Sequence, residues 1–177
     1  MFWQYLQNNR WKFYDRTKLA EEKSKDITTW SIDKFYATIT KLYKASLQND
    51  ALLKNTKLDG LDAIIIKGEN TRQLRPTLYD FLTHRALEFF MNDESGVTKP
   101  AYQFKIDDAA AFAKAEDFSK ASFKTKDTAS IQHRALLLLQ ELIKFHLTDA
   151  NPDALIDADL IRLNFVNSNA VIEGKEK

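Results

Sequence analysis

An all-α fold is predicted by three features of this sequence: recurrent helical periodicity, scarce turn formers and the lack of pairable strands. Apolar residues recur at i, i+3, i+4 and i+7 over several stretches, the spacing of one helix face. Four glycines and three prolines in 177 residues are too few for the many turns of a β protein. The one run that could be a buried strand, Leu61–Ile66, has no second candidate to pair with. The architecture expected is an irregular bundle or a short array of helical hairpins, with five to seven helices. A single helical domain should span 1–168, followed by a polar, frayed tail at 169–177.

Each element has its own signal. Phe2 to about Tyr14 alternates aromatic and polar residues, and Trp3, Leu6, Arg10 and Phe13 fit helical spacing. Met1 opens directly onto this amphipathic stretch, so the chain is expected to be a piece of something longer. Lys18–Lys25 reads as a charged connection. A helix follows from about Ser31 to Gln48, carrying Ile32, Phe35, Tyr36, Ile39, Leu42, Tyr43 and Leu47 on one face. Trp30 stands where a hydrophobic staple would fold back onto its first turn. Asn49–Asp59 is a linker with one helical turn at Ala51–Leu53. Leu61–Ile66 is a short helix closed by Gly68 or a brief strand, with helix favoured.

The strongest helix signal is Leu74–Met91, LRPTLYDFLTHRALEFFM, around which the chain is expected to be organised. Pro76 ends what precedes it, Thr77 caps, and Asp80 favours the positive end of the helix. On a wheel, Leu78, Phe81, Leu82, Arg85, Ala86, Phe89 and Phe90 share a broad face, with Asp80, His84 and Glu88 opposite. Asn92–Pro100 is a loop and Tyr102–Ile106 an extended arm. Asp107 or Asp108 caps a short alanine-rich turn at Ala109–Ala115. Phe104, Phe112, Phe118 and Phe123 should plug this long connection onto the bundle. The most buried helix is expected at about Thr128–Leu147, since Leu136–Leu139 is apolar on every side. Asn151-Pro152 opens a last helix to about Val166, paired with it as a hairpin.

Composition narrows function. With 26 basic and 25 acidic side chains the net charge is +1, without the basic excess of a nucleic-acid binder. Arg10, Lys12 and Arg16 among aromatics therefore read as the cationic flank of an amphipathic helix rather than a stacking strip. No stretch of 18 apolar residues spans a membrane, so direct membrane insertion is not expected. The absence of cysteine excludes disulfides, zinc–thiolate sites and cysteine nucleophiles. No GxGxxG, P-loop, HExxH, GxSxG or calcium loop is present, so the chain is expected not to be an enzyme. No catalytic, cofactor-binding or metal residue is assigned, and no cofactor.

Three sets of residues still invite a site. Asp80, His84 and Glu88, at i, i+4 and i+8, have a spacing that can hold a metal. Facing away from the apolar arc, they read instead as a solvated network. Arg85, in mid-arc, is expected to be partly buried and paired with a carboxylate, a ligand contact being the alternative. His133 and His146, alone on leucine-rich helices, should be partly buried and hydrogen-bonded.

FWQYLQNNRWKFY, followed by Asp26-Ile-Thr-Thr-Trp30 and then LRPTLYDFLTHRALEFF, resembles the N-terminal helical region of large bacterial alpha-2-macroglobulin-like proteins. Asp157-Ala-Asp-Leu-Ile-Arg162 fits a later helix of the same region. The resemblance covers most of the chain but rests on structural motifs. It implies a helical-hairpin array ahead of macroglobulin domains, in a periplasmic or outer cell-envelope protein. The function expected is a non-catalytic interaction or spacer module, partnered by the remaining domains of its parent chain, with other proteins as further candidates. The alternative is a stand-alone helical-repeat adaptor that binds a peptide or partner helix in an aromatic groove.

Overall fold

Some helix starts in this chain are set by local chemistry that the sequence displays. Ser31 accepts from the Lys34 backbone N–H at 3.2 Å and starts α2, Ile32–Ser46. Trp30 then packs on Phe35 with ring centroids 5.1 Å apart, which is the expected staple. At α4, Leu78–Phe90, Thr77 and Asp80 form a full capping box. The Thr77 N–H donates to Asp80 Oδ2 at 2.8 Å, and the Asp80 N–H donates to Thr77 Oγ1 at 3.3 Å. Such a cap contributes about 1 kcal/mol.

The computed structural model describes residues 1–13, 24–69, 71–92 and 97–171. Tyr14, Arg16 and most of the Lys18–Lys25 connection lie outside them. Among the described residues there are seven α-helices and no strand: α1 (Phe2–Asn9), α2, α3 (Asp50–Asn55), α4, α5 (Ala115–Lys120), α6 (Ile131–His146) and α7 (Asp153–Asn169). The all-α class of five to seven helices is thus correct. None of these helices is long and apolar enough to cross a membrane.

The packing has two halves. Aromatic rings sew α1 and α2 to the end of α4: Trp3, Tyr36 and Tyr43 each meet Phe89, at 5.0, 5.3 and 5.6 Å between centroids. On the other side α6 is the hub, packed against α4, α5 and α7. Centrality therefore belongs to α6 rather than to α4 alone. Of its four-leucine run, only Leu137 reaches solvent.

Polar side chains of α6 pin the long connection before it. The Gln140 amide donates to the carbonyls of Phe118 and Ala121, at 2.6 and 2.8 Å. The His133 Nε2–H donates to the Phe123 carbonyl at 2.7 Å. Phe118 and Phe123 are buried as expected, while Phe104 and Phe112 are half-buried. The alanine-rich turn is a 3-10 turn, Ala109–Phe112, capped by Asp108, and α5 after it was not foreseen.

Three expectations need correction. Leu61–Ile66 is neither helix nor strand: a 3-10 turn ends at Leu61, and Ile64 and Ile66 are 80% and 101% exposed. The last helix passes Val166 to reach Asn169, and Ala170 is buried where the Val171 N–H donates to the Ile106 carbonyl at 2.9 Å. That anchor holds 169–171 in place, and residues 172–177 lie outside the described set. The third correction concerns the buried face of α4. Tyr79, Asp80, Thr83, His84, Ala86, Leu87, Phe89 and Phe90 are buried, and Arg85 is exposed.

Candidate functional site

Burial of α4 follows the availability of partners rather than side-chain polarity. Asp80 is fully buried, yet its Oδ2 accepts from both the N–H and the hydroxyl of Thr77, at 2.8 and 2.7 Å. Its Oδ1 lies 2.7 Å from His146 Nε2. A carboxylate so supplied with donors can leave water at a modest cost. Arg85 finds no carboxylate among the described residues, so its guanidinium stays in solvent, 5.6 Å from the Phe81 ring centroid. The expected buried ion pair of Arg85 is therefore wrong. So is the solvated stripe: Asp80 and His84 are inside, and Glu88 alone is exposed.

His146, at the end of α6, is bracketed by two acids. Its Nδ1 lies 2.7 Å from Asp149 Oδ2, opposite the contact to Asp80. Both neighbours are acceptors when ionised, so the doubly protonated imidazolium is the form that satisfies them. Burial works against that charge, but the hydrogen bonds to Asp80 and Asp149 outweigh it and raise the His146 pKa.

A second pair extends the network to α7. The His84 Nδ1–H donates to the Asp80 carbonyl at 2.8 Å, and His84 Nε2 lies 3.3 Å from Asp157 Oδ2. Arg75 Nε approaches the same oxygen at 3.8 Å. The facing His84 ring, against an opposing effect of burial, holds the Asp157 carboxyl below its usual range, with Arg75 adding to it. These contacts fasten α4, α6 and α7 to one another. His133 and His146 are hydrogen-bonded as expected, and both ring nitrogens of His146 are committed.

Arg162 of α7 was not singled out as a buried group, although it is among the largest fully buried side chains of the described residues. Its Nε–H donates to Asp159 Oδ1 at 3.0 Å, and Nη1–H donates to the Ala111 carbonyl at 2.7 Å. Its guanidinium carbon lies 4.8 Å from the centre of the Phe118 ring. The Asp159–Arg162 spacing of i, i+3 was a legible signal for this pairing.

The remaining feature is a groove of about 420 Å³ between α1, α2 and α4. Phe2 and Trp3 line it from α1, Ile39, Leu42 and Tyr43 from α2, and Leu82 and Arg85 from α4. It is open-sided, with Leu42 half exposed on its wall. No carboxylate lines it, and Arg85 is its single charged side chain among the described residues. Burial pushes the Tyr43 hydroxyl's pKa up, with Arg85 pulling the other way and Glu88 adding to the rise. Met1 and Ser46 complete the lining, so chemically the groove offers a largely apolar floor with one charged side chain, Arg85, at its edge.

Among the described residues, no group of three or more histidine, aspartate or glutamate side chains is placed to hold a metal ion. Compared with family models, characterised proteins and solved structures, the chain matches none.

Proposed function

We propose that this chain is a non-catalytic helical interaction module that holds an apolar segment of a partner in the groove between α1, α2 and α4. The observation carrying this reading is Arg85: an exposed guanidinium with no carboxylate partner among the described residues, beside a groove lined by apolar side chains. A lone cation next to exposed apolar surface is a recognition pattern, giving affinity through the floor and orientation through the charge. Of the three histidines, His146 supports a non-catalytic role most directly, with no ring nitrogen left to act on a ligand. The ring nitrogens of His146 are both taken, and His84 and His133 each commit one to a backbone carbonyl.

The groove favours a helical occupant. No strand edge is offered among the described residues, so β-strand addition has no template. Small-molecule sites bury about 70–90% of their ligand, whereas an open-sided groove covers one side of an occupant. An amphipathic helix needs cover on one side only.

Titration with a short amphipathic helical peptide bearing glutamate beside a leucine stripe tests the reading, with Trp3 fluorescence as the readout. Saturable binding that Leu82→Glu or Leu42→Glu abolishes is the result expected. Absence of binding, or binding indifferent to both substitutions, would overturn it. Placement of the module in a large alpha-2-macroglobulin-like cell-envelope protein is supported by the sequence resemblance alone. Macroglobulin β-sandwich patterning downstream in the parent reading frame is the test of that placement.

A further inference from the structure

A groove with an unpaired cation has a counterpart elsewhere on the same molecule. Along α7, Asp153, Ile156, Leu160 and Leu163 fall at i, i+3, i+7 and i+10, a single stripe of the helix. Ile156 and Leu160 are 51% and 55% exposed, and Leu163 is half-buried. Asp153, at the head of the stripe, takes a hydrogen bond from the Asn151 side chain at 3.1 Å but has no cationic partner among the described residues. The other acids of this helix are engaged: Asp157 faces His84 and Arg75, and Asp159 holds Arg162. Asp153 is therefore the carboxylate of this helix that has no cation among the described residues, in line with the exposed apolar side chains. One surface thus presents apolar side chains headed by an unpaired acid, and another an apolar groove edged by an unpaired base.

We infer that the occupant of the α1/α2/α4 groove is the α7 stripe of a second copy of this chain, with Ile156 and Leu160 against Leu42, Tyr43 and Leu82 and Asp153 on Arg85. This rests on the groove being a docking site and adds the identity of the partner. Charge complementarity orients the helix, and the apolar pairs remove from water side chains that each copy leaves exposed. The two surfaces differ, so the contact is heterologous and propagates into rings or chains unless two copies exchange reciprocally. Few side chains take part, so the association is weak, at the small end of specific interfaces.

Sedimentation of the full chain over a wide concentration range tests the inference, using Arg85→Asp, Asp153→Arg and an equimolar mixture of the two variants. The wild type should gain mass with concentration, and each variant alone should associate at least about tenfold more weakly. The mixture should regain wild-type association, because each variant's altered surface then meets its opposite charge. Circular dichroism checks that both variants are folded, and Leu42→Lys supplies an independent loss through the apolar floor. A chain that is monomeric at every concentration, or one whose association ignores all three substitutions, would overturn the inference, as would a mixture no better than its components. Peptide binding that persists while self-association is absent would sink only the choice of partner. Failure of both would sink the groove reading as well.

Discussion

His146 Nε2 sits 2.7 Å from Asp80 Oδ1, joining the last turn of α6 to the first turn of α4 across 66 positions of sequence. The same aspartate closes the capping box with Thr77, so one carboxylate both starts a helix and fixes its neighbour. Both side chains are buried.

Replacing His146 with alanine strands a buried charge. Asp80 keeps its two donors from Thr77 but loses the cation, and an imidazole-sized space opens. Breaking a buried pair from one side costs about 3–5 kcal/mol, and a loss of about 3 kcal/mol is expected in urea denaturation. A loss below about 1 kcal/mol would mean that water already reaches Asp80.

The pH dependence has a definite sign. The His146 pKa is raised in the folded state, so its contribution is complete below the unfolded histidine value of about 6.5. That contribution is lost as pH rises through the raised folded value. Asp157 is shifted the other way; its contribution is present above the unfolded aspartate value of about 3.9 and lost as pH falls through the lowered one. Urea midpoints should thus decline on the alkaline side in the wild type, and that limb should vanish in His146→Gln. An identical alkaline limb in both proteins would assign it to another group.

Arg162 clamps the Ala109–Phe112 turn onto α7. Arg162→Ala empties a buried volume and leaves the Ala111 carbonyl without its donor, at a cost of about 3 kcal/mol. Arg162→Met should lose less, because its unbranched stem fills much of the space against Phe118. Thermal unfolding of the two variants makes the comparison, and equal losses would show that the hydrogen bond outweighs the packing.

Signals confined to one turn of chain were legible in the sequence. Thr77, Asp80, Ser31 and Trp30 act through atoms three to five residues away, so their roles could be read without knowing what packs where. The buried side of α4 was not legible, because it was decided by residues far along the chain. His146 and Asp157 supply partners that let Asp80 and His84 go inside, while Arg85 has no carboxylate partner among the described residues. Polarity alone was right about Ala86, Phe89 and Phe90 but put Arg85 inside and Asp80 and His84 outside. Ile64 and Ile66 failed for a related reason: no element among the described residues covers them, and a short apolar run carries no information about that. An aromatic groove was an open alternative, but its location could not be foreseen, since its walls come from three helices and its distinguishing group, Arg85, had been placed inside.

Exposure of Ile64 and Ile66 makes a competing prediction about where this molecule meets others. The two surfaces separate cleanly by residue. Backbone amide chemical shifts, recorded while an acidic amphipathic helical peptide is added to the full chain, give the most direct test of the groove as the docking surface. The account predicts saturable shifts concentrated at Trp3, Leu42, Tyr43, Leu82 and Arg85, with the Asp80–His146 region unmoved. Shifts centred on 62–68, or spread evenly over α6 and α7 while Leu42 and Arg85 stay still, would contradict it.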